Sequence, residues 1–248
     1  MQLTVIGCSG SVPGPDSPAS SYLLSADGFN LVLDLGLGAF GALQRHIPVS
    51  GIGAIGLSHL HPDHCMDLCG LYVATKYSPA APLPKIPVYG PAGTAARMAQ
   101  AYDLPEDPGM TEQLAFTTWS PVQEVGPFVV RTAAVIHPVP AYAIRVEHEG
   151  RSLVYSGDTG PAAALVELAR GADVLLCEAA LRDEDPANPP ELHLTASEAG
   201  EHAQRAGVGR LIVTHVPPWF DRRAQARAAA KTFAGEILTA APDAVYDI

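Results

Sequence analysis

The sequence predicts an α/β protein, and three observations carry that expectation. Apolar runs of strand length alternate with segments of helical character along the chain. No linker long enough to mark a second domain interrupts them, so residues 1–248 read as one domain. Residues able to bind a metal recur at the ends of predicted strands, as expected where separate loops converge on one site.

The densest such stretch is Ser58-His59-Leu60-His61-Pro62-Asp63-His64, in which four of seven residues can ligate a metal. It follows the apolar run Ala54 to Leu57, read as a buried strand, and Pro62 suits the first turn of a helix. In extended chain, residues two apart point the same way, so His59 and His61 can share one ion; Asp63 and His64 lie past the bend and can face a second. Imidazole and carboxylate together suit zinc, manganese or iron. A lone surface histidine is ordinarily solvated, but that does not explain four ligands at this spacing.

From the start of the chain, Gln2 to Cys8 is the first strand and Gly7 to Gly14 a loop rich in glycine and serine. Its backbone N–H groups could receive an anion or simply turn the chain, and it lacks the ending of a P-loop. Ser20 to Leu24 and Phe29 to Leu33 form a hairpin turning at Ala26-Asp27-Gly28. Asp34 closes its second strand, where it could orient a metal-binding histidine or cap the next segment. Gly38 to His46 and Met66 to Tyr77 are helical. A proline-rich connection, Ser78 to Pro87, leads into the strand Ile86 to Tyr89, the helix Gly93 to Ala101 and the acidic loop Asp103 to Gly109.

Ala115 to Trp119, Val122 to Val125 and Phe128 to Ile136 read as a meander of strands that delivers His137, with a further strand beyond it. Leu153 to Tyr155 presents Asp158 near its tip, where a carboxylate could bridge two ions or hold its own turn. Pro161 opens a helix to Arg170. Asp173 to Glu178 is a buried strand, and the polar loop Asp183 to Pro190 suits a lid. His193 precedes a helix, Ala196 to Ala206, that Thr195 or Ser197 can cap. The strand Leu211 to Thr214 ends on His215, leaving His46, His148 and His202 as surface residues.

Composition limits the function classes. A hydrophobic fraction of 48% is ample for a core, and no run of about 18 apolar residues could span a bilayer. Met1 leads directly into an alternating strand pattern without the charged start of a secretory signal, so a soluble, cytoplasmic protein with no membrane partner is expected. Cys8, Cys65, Cys69 and Cys177 form no C-x-x-C pair and read as reduced thiols, with Cys65 and Cys69 packing a helix. The formal charge of −11 disfavours nonspecific nucleic-acid binding but leaves room for a small anion at bound cations.

The ordered set His59-x-His61-x-Asp63-His64, His137, Asp158, His193 and His215 resembles the metallo-β-lactamase-fold hydrolases of the branch related to the tRNA-processing ribonuclease Z. The resemblance covers nearly the whole chain. It is closer to actinobacterial atypical class II cyclic nucleotide phosphodiesterases through Gly7-Cys8-Ser9-Gly10-Ser11, Gly14 to Ser20, Gly41 to His46, Tyr155 to Gly160 and Thr214 to Trp219. It implies a four-layer αββα sandwich with two divalent ions at one edge, zinc first, then manganese or iron. It also implies that His59, His61 and His137 hold one ion, that Asp63, His64 and His215 hold the other, and that Asp158 bridges them.

The chemistry that follows is hydrolysis of a small phosphodiester, foremost 3′,5′-cyclic AMP, to a 5′-monophosphate by a hydroxide between the ions. Asp63 would orient the nucleophile and accept its proton; His193, outside the ligand set, would protonate the leaving oxygen. A tRNA 3′-endonuclease and a metal-loaded module without activity are the alternatives. Against the endonuclease, residues 65–136 carry four Lys or Arg and six Asp or Glu and no basic arm. Arg205, Arg210, Arg222, Arg223, Arg227 and Lys231 form a basic run that a solvated helix face explains. Trp219, Phe220 and Tyr142 could stack a base or pack in the core, and a homodimer is the oligomer expected.

Overall fold

A computed structural model of the chain describes residues 1–79 and 83–248; residues 80–82, within the proline-rich connection Ser78 to Pro87, lie outside the described residues. The first half supplies β1 (Gln2–Gly7), β2 (Ser21–Ala26), β3 (Phe29–Leu33), α1 (Ala39–Leu43), β4 (Ala54–Gly56), α2 (Pro62–Cys65), α3 (Leu68–Tyr77), β5 (Ile86–Gly90), α4 (Thr94–Ala101) and β6 (Leu114–Thr118). The second supplies β7 (Val122–Val125), β8 (Phe128–Ala134), β9 (Tyr142–His148), β10 (Arg151–Tyr155), α5 (Ala163–Leu168), β11 (Val174–Glu178), α6 (Ala196–Ala206), β12 (Arg210–Thr214), α7 (Arg222–Ala229), β13 (Glu236–Thr239) and β14 (Val245–Asp247).

Two mixed sheets result, in the orders β14-β1-β2-β3-β4-β5-β6 and β13-β12-β11-β10-β9-β8-β7. In the first, the pairings from β14 to β3 are antiparallel and those from β3 to β6 parallel. The second repeats the pattern, antiparallel from β7 to β10 and parallel from β10 to β13. The β2–β3 hairpin closes on Asp27 and Gly28, whose φ angles of 50° and 77° match the twist of a two-residue turn.

Three apolar cores make this a four-layer αββα sandwich, as expected. Leu3, Tyr22, Leu33, Phe128, Ile144, Tyr155 and Leu176 meet between the sheets. Alternate strand residues such as Ile6, Val32, Ile55 and Val88 turn outward onto Leu43 of α1, Leu71 of α3 and Met98 of α4. Val154, Leu175 and Leu211 do the same against α5, α6 and α7.

Several sequence expectations need correction. β6 does not begin a meander: it pairs in parallel with β5 at the edge of the first sheet, while β7 opens the second. The chain changes sheet between them, which strand periodicity cannot reveal. β8 stops at Ala134, so His137 belongs to the β8–β9 loop rather than to a strand end. His148 and His202 are buried, not surface residues. His202 Nδ1–H donates to Glu198 O at 2.7 Å and its Nε2 accepts from Ala162 N at 3.1 Å, so both ring nitrogens are satisfied inside. His148 Nε2 pairs with Asp27 at 2.8 Å and its ring packs on Phe128.

Candidate metal centre

The parallel strands set the site. β3 and β4 run side by side, as do β10, β11 and β12, so their C-terminal ends release chain at one edge of the sandwich. Asp34 follows β3, the Ser58–His64 motif follows β4, Asp158 follows β10, Glu178 ends β11 and His215 follows β12. Pro62 occupies the first turn of α2, behind an extended His61. Leu35 N donates to His64 O at 2.7 Å, and a Cβ on Gly36 would collide with Asp63 O. Only glycine therefore lets the loop after β3 clamp the helix that carries Asp63 and His64.

All eight residues singled out from the sequence come together here. His61 Nδ1 lies 3.1 Å from both His59 Nε2 and His137 Nε2, making one cluster of three imidazoles. Asp63, His64, Asp158 and His215 make a second: His64 Nε2 is 3.2 Å from His215 Nε2, 3.3 Å from Asp63 Oδ2 and 3.2 Å from Asp158 Oδ1. Asp158 stands between the two, its Oδ2 3.7 Å from His59 Nε2. His215 Nδ1 is buried with no hydrogen-bond partner.

These spacings fit metal. Ligand atoms placed tetrahedrally at about 2.0–2.1 Å from zinc are about 3.3–3.4 Å apart. A single proton can bridge two ring nitrogens, but His61 Nδ1 faces two at once, so repelling lone pairs remain unless a cation sits among them. Burial foremost, with neighbouring imidazoles, pushes His59, His61 and His137 below the ordinary imidazole range, leaving them neutral as ligation requires. Burial opposes charge on His64, yet Asp158 and Asp34 raise it well above that range. Burial also opposes charge on Asp63, but hydrogen bonds from His215 and His64 hold it ionised.

An outer set of side chains orients the inner one. Buried Asp34 accepts from His64 Nδ1 at 2.7 Å, Ser58 N at 2.6 Å, Ser58 Oγ at 2.7 Å and Tyr155 OH at 2.8 Å, so it holds the ring of His64 rather than capping the segment that follows it. His137 Nδ1–H donates to Leu192 O at 2.9 Å.

His193 Nδ1–H donates to Glu178 Oε1 at 3.0 Å, and Thr159 N donates to the same oxygen at 2.7 Å. Burial would discharge His193, but Glu178, then Asp158, outweigh it and raise its pKa to about 9. Sequence reasoning passed over Glu178, whose only signal is a carboxylate closing the apolar strand VLLCE. Glu178, His193 and His215 could also hold an ion between them. The 3.0 Å contact is that of a hydrogen bond, and a nitrogen carrying its proton cannot ligate.

Other expectations fall beside the site. The glycine-serine loop reaches it: Ser11, at φ 62°, directs its N–H to His215 Nε2 at 3.3 Å. Tyr142 is packed between the sheets and Phe220 on the outer core, whereas Trp219 is exposed. The basic run is dispersed: Arg210 pairs with Glu236, Arg227 with Asp221, and the rest of it lies along α6, α7 and the end of α7. The four cysteines are free, and among the described residues no helix is long and apolar enough to cross a membrane.

Two stacked sheets, outer helices and a histidine-rich edge with clusters able to bind metal define a metallo-hydrolase scaffold. The chain belongs to the β-lactamase superfamily, whose domain model matches residues 30–216. It is similar to an uncharacterized protein of Mycobacterium leprae, 43% identical over 255 residues that span 100% of this chain and 89% of that one. It is 34% identical over 271 residues to a ribonuclease Z of Mycolicibacterium paratuberculosis, with 96% and 94% covered. The crystal structure of the metallo-β-lactamase fold protein YhfI from Bacillus subtilis superposes with a TM-score of 0.87 at 26% identity, over 99% of this chain and 98% of that one.

Proposed function

We propose that this protein is a phosphodiesterase that opens 3′,5′-cyclic nucleotides, cyclic AMP foremost, to 5′-monophosphates. The observation that carries the reading is the placement of Asp158 between the two ligand clusters, with the His193–Glu178 pair on the same edge. His59, His61 and His137 would hold one divalent ion and Asp63, His64 and His215 the other, with one Asp158 oxygen toward each. Zinc suits the donor set best, with manganese or iron also compatible. Bound there, the ions supply Lewis acidity and a water acidic enough to attack near neutral pH.

The chain's own groups do the rest. Asp63 orients the attacking water and accepts its proton. His193, its Nδ1–H engaged by Glu178, has its other ring nitrogen free to protonate the departing 3′ oxygen. Asp34 and Ser58 keep the ring of His64 from turning, so the electrostatic field at phosphorus is set before substrate arrives.

A tRNA 3′-endonuclease is the second reading, and similarity to a ribonuclease Z over almost the full chain favours it. Charge weighs the other way. The protein carries a formal charge of −11, and residues 65–136 set four Lys or Arg against six Asp or Glu. Turnover of cyclic AMP, cyclic GMP, a 2′,3′-cyclic nucleotide, bis(p-nitrophenyl) phosphate and a precursor tRNA by the zinc-loaded protein decides between them. The 3′,5′-cyclic nucleotides should give 5′-monophosphates and the precursor should stay intact; trailer cleavage without cyclic nucleotide turnover would reverse the ranking.

A further inference from the structure

Beside the ligand clusters lies an open cavity of about 420 Å³ that has His193 in its wall. Its apolar lining comes from three separate elements: Ile136 just before His137, Pro161 before α5, and Leu181, Pro189 and Pro190 from the loop that follows β11. The volume falls within the range of small-molecule sites. Ile136, one residue before His137, leaves 38% of its surface exposed toward solvent. Its backbone, in contrast, is tied down, with N donating to Thr159 Oγ1 at 3.2 Å and O accepting from Gly160 N at 2.7 Å. That side of the wall is therefore preformed.

We propose that this cavity is the nucleoside subsite, taking the neutral base and sugar of a mononucleotide whose phosphate lies on the ligand clusters; the proposal rests on the phosphodiesterase reading above. A proton donated by His193 goes to an ester oxygen, so the carbon bearing that oxygen must lie next to His193, whose side chain also lines this cavity. In a 3′,5′-cyclic ester both ester oxygens belong to one ribose, so the nucleoside stays in the same place before and after ring opening.

The loop's charge defines what fits. Residues 182–191 hold Arg182 against Asp183, Glu184, Asp185 and Glu191. Asp183 is held by Ser197, with its Oδ2 accepting from Ser197 Oγ at 2.6 Å, but its charge remains. At the cavity itself, Asn188 and Glu191 offer acceptors to the amino groups of a base. A neutral nucleoside meets no penalty there, whereas a polynucleotide continuing through the loop would bring phosphates against carboxylates.

Calorimetric titration of the zinc-loaded full chain with 5′-AMP and with inorganic phosphate tests this without relying on turnover. The wild type should bind 5′-AMP at least tenfold more tightly than phosphate. Ile136→Trp and Pro189→Trp each fill the cavity from a different wall; both should erase that difference while phosphate affinity and metal content stay as in the wild type. An unchanged ratio in both variants would overturn the proposal, as would a single-stranded oligonucleotide that binds the wild type as tightly as 5′-AMP. Cyclic nucleotide turnover, assayed separately, reports on the reading beneath it: a protein that binds 5′-AMP through this cavity yet opens no cyclic ester keeps the subsite and loses the reaction.

Discussion

At the scale of single residues, Asp158 and His193 differ in kind although their side chains come within 3.8 Å. Asp158 offers one oxygen to each cluster, so Asp158→Ala should lower metal occupancy at both, read by elemental analysis; undiminished loading would remove it from between them. His193 is engaged by Glu178 instead, so His193→Ala should keep its metal. It should lose on the order of 10²-fold or more in turnover of a cyclic nucleotide. An activated p-nitrophenyl ester, whose leaving group departs unprotonated, should lose much less, and equal losses would mean that His193 positions substrate. Glu178→Gln should show the same selectivity in weaker form, because the amide still accepts the hydrogen bond but carries no charge. The four-ligand motif was legible because its residues lie within one stretch and differ in type from everything around them. Glu178 was not, since a carboxylate at the end of an apolar strand gains meaning only when His193, fifteen residues on, folds back against it.

Among the elements, α6 shows how local sequence holds the site in place. Thr195 Oγ1 accepts from Glu198 N at 3.2 Å while Glu198 Oε2 accepts from Thr195 N at 2.8 Å, a reciprocal cap that begins two residues after His193. Thr195→Ala removes half of it and should cost about 1 kcal/mol, read as a fall of about 2–4 °C in melting temperature for a chain of this size. Fraying there would also loosen the backbone leading to His193, so cyclic nucleotide turnover should fall while metal content holds. Thr195 and Ser197 were equal candidates in sequence; the structure decides because Ser197 Oγ is taken by Asp183. Helices and central strands were readable from periodicity to within a few residues. The edge was harder: β13 and β14 are short, partly exposed and end in no ligand, so nothing marked them. Even the correct strands β6 and β7 were joined wrongly, because pairing partners lie outside any local window.

Across the whole molecule, each sheet consists of an antiparallel half continuing into a parallel half, and each antiparallel half begins with one edge strand. In the second sheet β7 plays that part and directly precedes β8. In the first it falls to β14, which reaches β1 only after the chain has completed the other sheet. β14 aligns Asp247 with Gln2, Tyr246 with Leu3 and Val245 with Thr4. The link extends past the strand, since Val5 N donates to Ala244 O at 2.9 Å and Arg45 and His46 both engage the Asp243 carboxylate. Tyr246 adds ring burial against the inter-sheet core and donates its hydroxyl to Thr239 O at 3.1 Å. Removing residues 242–248 would strip β1 of these partners and leave a bare strand edge, an invitation to pair with another chain. Each lost backbone hydrogen bond is worth about 0.5–1.5 kcal/mol. The truncated protein should therefore melt several degrees lower and self-associate with rising concentration, measured by calorimetry and light scattering. The candidate metal ligands lie at the opposite ends of the strands from β14's register with Gln2, so truncated protein that remains folded should still load metal. A truncated chain with unchanged melting temperature would show that β14 merely rests on a sheet already complete without it.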